Sequence, residues 1–181
     1  MRITVLVGSP RKGGNTETLA DALIAGAQAA GAEVTKFSVR GKKIAPCVNC
    51  DYCQTHDRCA VADDMPEVYD LLLRTDALVV ATPVYFYNMS AQMKAIFDRL
   101  YNPVRAKFPI RLTVLLSVCA DDTQRAFDPL RATMAAIEGY LGWKRMGEVT
   151  VTDLEKKGDI AGHEALARAR ALGEKLVKTA L

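Results

Sequence analysis

The sequence is poor in the features that mark membrane, secreted and nucleic-acid-binding proteins. Half of its 181 residues are hydrophobic, yet none of its apolar stretches is long enough to cross a bilayer, and the start, MRITVLVGSP, is too short for a signal peptide. The 24 basic and 21 acidic residues are interspersed, so the net charge of +3 does not indicate a nucleic-acid surface. We therefore expect a soluble, cytoplasmic protein that binds neither membrane nor nucleic acid.

Linkers and low-complexity stretches are also missing, which predicts one domain over residues 1–181 with a cysteine-rich insertion loop at 41–62. Buried-strand patterns and amphipathic helical patterns alternate along the chain. The predicted strands are 2–7, 33–39, 77–82, 110–118 and 145–151, and the predicted helices are 16–30, 63–75, 90–100, 123–141 and 162–180. This alternation predicts an α/β fold with a doubly wound, five-stranded parallel sheet and helices on both faces.

The strand order of such a sheet decides where a ligand lies. Ligands bind outside the carboxyl ends of the strands, at the point where the strand order switches. In the order 2-1-3-4-5 that point lies between the first and third strands. The loops at 8–15 and 83–89 are therefore the candidate binding loops.

The first candidate loop lies in VGSPRKGGNT, residues 7–16. It lacks both the Gly-Lys-Ser/Thr ending of a nucleoside triphosphate loop and the G-x-G-x-x-G pattern of a dinucleotide loop, which disfavours both ligands. What remains is a glycine-rich turn before a helix, with Ser9, Asn15 and Thr16 as hydrogen-bonding side chains and Arg11 as a bidentate cation. This set suits a single phosphate group. An ordinary capped turn with solvated bases is the alternative.

The second candidate loop lies in TPVYFYNMSAQMKAIFDR, residues 82–99. It places three consecutive aromatic residues just beyond a strand end. Aromatic side chains in that position suit stacking against a flat ring system. Local packing beneath the loop is the alternative.

Four of the five cysteines lie between positions 47 and 59, too close together for a disulfide framework. Cys47, Cys50, Cys53 and Cys59 form C-x2-C-x2-C-x5-C, a compact spacing that fits a [4Fe-4S] cluster. Zinc is less natural, because structural zinc usually takes two separated C-x-x-C pairs. A thiol or disulfide state without a cluster is the alternative.

Three motifs together, GSPRKGGNT, CVNCDYCQTHDRCAVADDM and PVYFYNMSAQMKAIFDR, resemble the NAD(P)H-dependent FMN reductases of the flavodoxin superfamily, in particular their iron-sulfur flavoprotein branch. The resemblance spans nearly the whole chain and implies a flavodoxin-like fold that binds FMN. It implies phosphate contacts from Ser9, Arg11, Gly14, Asn15 and Thr16, ring contacts from Pro83, Val84, Tyr85, Phe86 and Asn88, and cluster ligation by Cys47, Cys50, Cys53 and Cys59.

One stretch departs from the family pattern. Many relatives have a glycine-rich or Thr-Gly segment after the fourth strand, where this chain has LLSVCADDTQ, residues 115–124. Ser117 is our candidate for the third flavin contact. Cys119 ends an apolar strand and is interpreted as a small buried residue.

The resemblance implies an FMN-dependent oxidoreductase that passes electrons between a reduced donor, ferredoxin or NAD(P)H, and an acceptor. Two alternatives stay open: a cluster-free NAD(P)H-dependent FMN or quinone reductase, and a non-enzymatic electron carrier. The basic pair Arg11 and Lys12 disfavours the electron-carrier interpretation, because flavodoxins in the narrow sense usually bind the phosphate with hydroxyls and backbone N–H groups. No motif residue is expected to act as a catalytic acid or base, since the cofactors do the chemistry.

Two further expectations concern arrangement. The cysteine loop leaves the carboxyl end of the second strand, which neighbours the first, so cluster and flavin are expected close together at one edge of the sheet. The resemblance also implies a homodimer or homotetramer.

Overall fold

A computed structural model describes residues 1–179 of the chain. Its sheet has five strands within these residues: β1 (Arg2–Val7), β2 (Glu33–Ser38), β3 (Ala77–Pro83), β4 (Leu112–Val118) and β5 (Lys144–Val151). All neighbouring strands are parallel, in the order β2-β1-β3-β4-β5. The predicted flavodoxin-like α/β sheet and its strand order are therefore confirmed.

The α-helices within the same residues are α1 (Asn15–Ala29), α2 (Tyr52–Thr55), α3 (Met65–Leu72), α4 (Ala91–Arg99), α5 (Asp128–Leu141) and α6 (Ala165–Thr179). The short α2 was not predicted. The helix predicted at 123–141 begins instead as a 3-10 turn at Gln124–Phe127, and α5 follows with a proline in its first turn. The helix predicted at 162–180 starts at Ala165, and its last residue lies outside the described part of the chain.

Two layers of helices cover the sheet. The strand residues of one face pack against α1 and α6, and those of the other face pack against α3, α4 and α5. Every residue of β3 is buried, because this central strand is covered on both faces. Within residues 1–179, we find no helix with both the length and the apolar character that crossing a membrane requires.

The helices α1 and α6 lie unusually close to each other. A Cβ atom placed on Gly26 would lie 2.0 Å from the carbonyl oxygen of Arg170, and one on Gly173 would lie 2.2 Å from that of Leu23. Glycine at both positions therefore lets the two backbones touch. Because α6 packs on α1, the chain between β5 and α6 returns across the sheet and reaches the amino end of α1.

Candidate functional site

The loop between β1 and α1, residues 8–14, is tied to β3 and α4. The Gly8 N–H donates to the carbonyl of Ala81 at 2.7 Å, and the Ser90 hydroxyl donates to the carbonyl of Gly8 at 2.6 Å. A Cβ on Gly8 would lie 3.0 Å from the Met93 side chain, so glycine allows the first turn of α4 to come this close. The two loops selected from the strand order thus meet at the carboxyl edge of the sheet.

The turn itself is closed by internal hydrogen bonds. Gly13 has a φ of +57°, and the Gly14 N–H donates to the carbonyl of Arg11 at 3.3 Å. The Ser9 hydroxyl accepts the N–H of Arg11 at 3.3 Å, and the Gly13 N–H donates to the carboxylate of Glu17 at 2.7 Å. The shape of this loop therefore comes from the chain's own groups.

Glu17 is a buried carboxylate below this turn. Its side chain pairs with Lys36 at 3.3 Å and with Arg40 at 3.4 Å. Burial alone would raise the pKa of Glu17, but the Gly13 N–H and these two cations outweigh burial and lower it. Glu17 therefore stays ionised and holds the turn from beneath.

Asn15 has a different role from the one its motif suggests. Its side-chain amide donates to the carbonyl of Lys156 at 2.8 Å, and its side-chain oxygen accepts the N–H groups of Gly158 at 3.0 Å and Ile160 at 3.4 Å. These three bonds hold the β5–α6 loop against the amino end of α1. The side chain of Asn15 is thus engaged by the β5–α6 loop, and only its backbone N–H, in the first turn of α1, is placed as an anion donor would be.

Lys157 is the residue that sequence reasoning missed. A Cβ placed on Gly13 would lie 3.7 Å from the Lys157 ammonium nitrogen, so this cation sits beside the turn. The guanidinium of Arg11 is anchored to the same loop, donating to the carbonyl of Glu155 at 3.3 Å. With Lys12, which is exposed on the turn, the turn and the loop beside it carry three cations.

The aromatic loop is a tight two-residue turn. Tyr85 and Asn88 exchange backbone hydrogen bonds of 2.8 and 3.3 Å, and Phe86 and Tyr87 between them have φ values of 48° and 68°. Bulky residues rarely adopt positive φ, and such strain concentrates at functional sites. Phe86 is 99% exposed, so its ring is presented to solvent and does not pack beneath the loop.

Two more predicted ring contacts flank this turn. The N–H of Val84 donates to the carbonyl of Val118 at 2.9 Å, which ties the loop to β4. The Asn88 side chain donates to the Thr133 hydroxyl at 3.0 Å and accepts the N–H of Met89 at 2.8 Å. Both residues therefore hold the turn in place, and Pro83 is the buried last residue of β3.

Ser117 is fully buried in β4, and its hydroxyl donates to the carbonyl of Thr82 at 2.8 Å. This hydrogen bond stabilises the β3–β4 pair, and the role of Ser117 as a flavin contact stays a prediction. Cys119, just beyond the strand, is buried with its thiol 3.5 Å from the carbonyl of Asp121, and burial raises its pKa.

The cysteine loop is closed at its base. The N–H of Lys43 donates to the Asp64 carboxylate at 2.7 Å, and the N–H of Ala45 donates to the Asp63 carboxylate at 2.8 Å. Arg99, at the end of α4, donates through Nη1 to both the Asp63 carboxylate and the carbonyl of Ala45. The two ends of the loop are therefore fastened to each other and to α4.

The thiols themselves are loosely grouped. The Asn49 N–H donates to the sulfur of Cys47 at 3.4 Å, and Asn49 has a positive φ of 51°. The pKa of Cys53 is raised by burial first and then by the nearby thiols of Cys59, Cys47 and Cys50. The donor set and the N–H···S bond suit a thiolate-bound cluster. Among residues 1–179, however, no three His, Cys, Asp or Glu side chains converge on a metal position.

The cysteine loop packs on α3 and reaches the end of α4. The loop leaves the carboxyl end of β2, and Cys59, Tyr69 and Asn102 line one cavity of about 660 Å³. Asn102 follows the end of α4, a nine-residue helix of about 13 Å whose first turn contacts the loop between β1 and α1. Cys59 therefore lies toward the last turn of α4 and the β1–α1 loop toward its first, and the expected closeness of cluster and flavin stays a prediction.

Residues 1–162 match the family model described as NADPH-dependent FMN reductase. The chain belongs to this family. Its membership and its flavodoxin-like fold agree with the resemblance carried by the three sequence motifs.

Relatives of this FMN reductase family member include two named iron-sulfur flavoproteins. One, from Archaeoglobus fulgidus, is 43% identical over 106 residues, which are 59% of this chain and 54% of that protein. The other, from Methanosarcina thermophila, is 39% identical over 111 residues, 61% of this chain and 58% of that protein. The chain thus spans about half the length of these curated relatives. The structure of an NAD(P)H:quinone oxidoreductase from Methanothermobacter marburgensis shares the fold, with a TM-score of 0.79, 20% identity, and 97% of this chain and 96% of that chain covered.

Proposed function

We propose that this chain is an FMN-dependent oxidoreductase that passes electrons from a reduced donor, a ferredoxin-like protein or NAD(P)H, to an acceptor. The proposal is supported by the pairing of a glycine turn that has Lys157 beside it with the 99% exposed side chain of Phe86, at one edge of the sheet. A phosphate and a flat ring are the two ends of FMN. FMN accepts a hydride or single electrons when bound, and the chain supplies binding and orientation.

The phosphate end is assigned to the first loop. Backbone N–H groups from Asn15 and Thr16 lie at the amino end of α1, where the helix dipole favours an anion. The N–H of Gly14 lies beside them and also donates to the carbonyl of Arg11 at 3.3 Å. Ser9 contributes a hydroxyl, and Arg11 a guanidinium that can bind two phosphate oxygens. Lys157 joins this set from the β5–α6 loop. The added positive charge matches a phosphate monoester, which carries nearly two negative charges at neutral pH.

The ring end is assigned to the aromatic turn. Pro83, Val84, Tyr85, Phe86 and Asn88 border the ring in this proposal. The turn's rigid backbone pair between Tyr85 and Asn88 would hold Phe86 in one orientation. A fixed aromatic face positions a stacked ring and excludes water from one side of it.

The four cysteines are proposed to hold a [4Fe-4S] cluster that exchanges single electrons when bound. The N–H···S bond at Cys47 and the shared electrostatic neighbourhood of the thiols support this assignment. Because the thiols do not converge within the described residues, a cluster-free NAD(P)H-dependent FMN or quinone reductase is the second candidate. Both candidate functions require the flavin site, and they differ in whether the four cysteines hold an iron-sulfur cluster.

The test is anaerobic purification followed by an absorption spectrum, FMN quantitation, iron and acid-labile sulfide analysis, and NAD(P)H turnover with a quinone. We expect one FMN and about four iron and four sulfide atoms per chain. FMN without iron or sulfide would select the cluster-free reductase. FMN without turnover on NAD(P)H or reduced ferredoxin would select an electron carrier. Absence of FMN after incubation with excess cofactor would overturn the flavin assignment.

A further inference from the structure

Arg99 is a buried arginine with unused hydrogen-bond donors. Its side chain is 1% exposed. Nη1 is satisfied by Asp63 and Ala45, but Nε and Nη2 are buried and find no partner among residues 1–179. Buried donors on a charged group are rarely left unpaired, since they have lost their hydrogen bonds to water. Two such atoms on one guanidinium point to an acceptor that the protein chain does not supply in this conformation.

The surroundings of Arg99 say what that acceptor would be. Tyr69 donates its hydroxyl to the backbone carbonyl of Arg99 at 2.8 Å. Cys59 and Tyr69 line the same cavity, so Cys59 is the thiol of the cysteine loop that lies on the Arg99 side. The sulfur of Cys59 is therefore our candidate acceptor for the two remaining donors.

Arg99 also contacts both ends of the loop that carries the thiols. Asp63 follows Cys59 by four residues, and Ala45 precedes Cys47 by two, so the Nη1 contacts clamp both ends of the cysteine segment. A guanidinium presents its donors as a rigid plane. Because Nη1 is held by this clamp, the orientation of Nε and Nη2 relative to the two ends of the segment is restricted.

We propose that Arg99 is a positioning residue for the cysteine site, whose Nε and Nη2 donate hydrogen bonds to the Cys59 thiolate when the four cysteines hold the cluster. The inference rests on the proposed function. Four thiolates and a [4Fe-4S] core are together anionic, and hydrogen bonds to the sulfurs are among the features that set the potential of such a cluster. Loss of these donors stabilises the oxidised cluster relative to the more negative reduced one, so the midpoint potential falls.

The experiment compares the full-length protein with Arg99→Lys and Arg99→Met, each reconstituted anaerobically with iron and sulfide. The readouts are iron and sulfide content, the midpoint potential of the cluster by electron paramagnetic resonance titration, its rate of loss to a chelator, and FMN content. The matched control is Arg145→Met, which removes another ion-paired arginine, held by Glu138 and Glu148 far from the cysteines. Arg99→Lys keeps the charge without the planar donors.

We expect Arg99→Lys to hold a cluster of lower potential than the wild type and to lose it at least tenfold faster to a chelator. Arg99→Met should show a further fall in potential or hold no cluster, and Arg145→Met should match the wild type in both measurements. If the cluster of Arg99→Lys has the wild-type midpoint potential, the inference about Arg99 is overturned, and the proposed function is unaffected. A wild-type chain that takes up FMN but no iron or sulfide would overturn the cluster assignment and this inference with it, leaving the flavin assignment intact.

Discussion

The phosphate loop, residues 8–14, and the cysteine loop, residues 41–62, leave the neighbouring strands β1 and β2 and are held in different ways. The phosphate loop is fastened from three directions: Ser90 beside it, Glu17 beneath it and the β5–α6 loop above it. The cysteine loop is fastened at its two ends, and between them Cys47 and Cys50 are exposed.

This difference matches what each loop is proposed to bind. A phosphate is bound by backbone N–H groups and cations, which a strand-to-helix turn provides. A cluster is bound by four thiolates close together, and these repel one another until metal ions neutralise them. We infer that the fold forms the first proposed site in advance and that the second is completed by its ligand.

Loss of one thiol should have the largest effect. Cys53→Ser removes one of the four proposed cluster ligands, the cysteine whose pKa is raised in part by the other three thiols. We expect the iron content after anaerobic reconstitution to fall at least about tenfold, because a [4Fe-4S] cluster is held by its cysteine ligands. FMN content should stay within about twofold, because the two sites lie toward opposite ends of α4. Cys119→Ser, at the buried fifth cysteine, is the matched control and should keep its iron. A Cys53→Ser protein with full iron would contradict the assignment.

Strain in the phosphate turn should have the next largest effect. Alanine at Gly13, where φ is +57°, costs about 1–2 kcal/mol in backbone conformation, while its methyl group would lie only in ordinary contact with Lys157. We expect FMN affinity by fluorescence titration to fall about tenfold, equivalent to about 1.4 kcal/mol. Gly162→Ala is the control, since Gly162 has a similar φ of +75° with open space around it. If both variants lose stability alike but keep equal FMN affinity, the turn is not the phosphate site.

Removal of Lys157 should have a moderate and specific effect. Lys157→Ala removes one charge-assisted contact, so we expect FMN affinity to fall about fivefold, or about 1 kcal/mol. Riboflavin, which has no phosphate, should bind the variant and the wild type equally. Lys156→Ala is the control, because that residue meets Asn15 through its backbone carbonyl. An equal loss for FMN and riboflavin would mean that Lys157 shapes the site without touching the phosphate.

The carboxylate beneath the turn should have the smallest effect, visible in its pH dependence. The pKa of Glu17 is lowered by folding, so its contribution to stability is present above its unfolded pKa and is lost as the pH falls through the folded value. Glu17→Gln should therefore lower the free energy of unfolding by about 1 kcal/mol at pH 7, and the difference from the wild type should shrink as the pH falls below 4.5, the ordinary pKa of the carboxyl group. Urea unfolding at four pH values measures this. Glu33→Gln, which replaces an exposed carboxylate, is the control variant.

The fold was predictable to within a few residues at most boundaries. Buried strands such as 77–82 are runs of β-branched and apolar residues with no competing helical pattern, and the helix at 16–30 has a clear apolar face. The exception, at 123–141, arises because Pro129 cannot sit inside an α-helix and instead marks its first turn. The unpredicted α2 has only four residues, too few for a periodic signal.

The roles of individual side chains were less predictable. Asn15 lies in the phosphate motif, but its amide is taken by residues more than 140 positions later in the chain. Ser117 lies at the right strand end, but whether it faces the loop or the neighbouring strand depends on the pleat and on Thr82. Such roles depend on partners distant in sequence, which local patterns do not encode.

The sequence alone determined the alternation of strands and helices, the family, the two loops at the switch in strand order and the four clustered cysteines, because each is a local pattern of residue types. The tertiary structure alone decided that Lys157 lies beside Gly13 and that the cysteine loop packs on α3 near the end of α4. It also decided that Arg99 contacts both ends of this loop while two of its donors find no partner in the described part of the chain. The physical reason is that packing α6 against α1, and the loop against α3 and α4, brings together residues that are far apart in the chain.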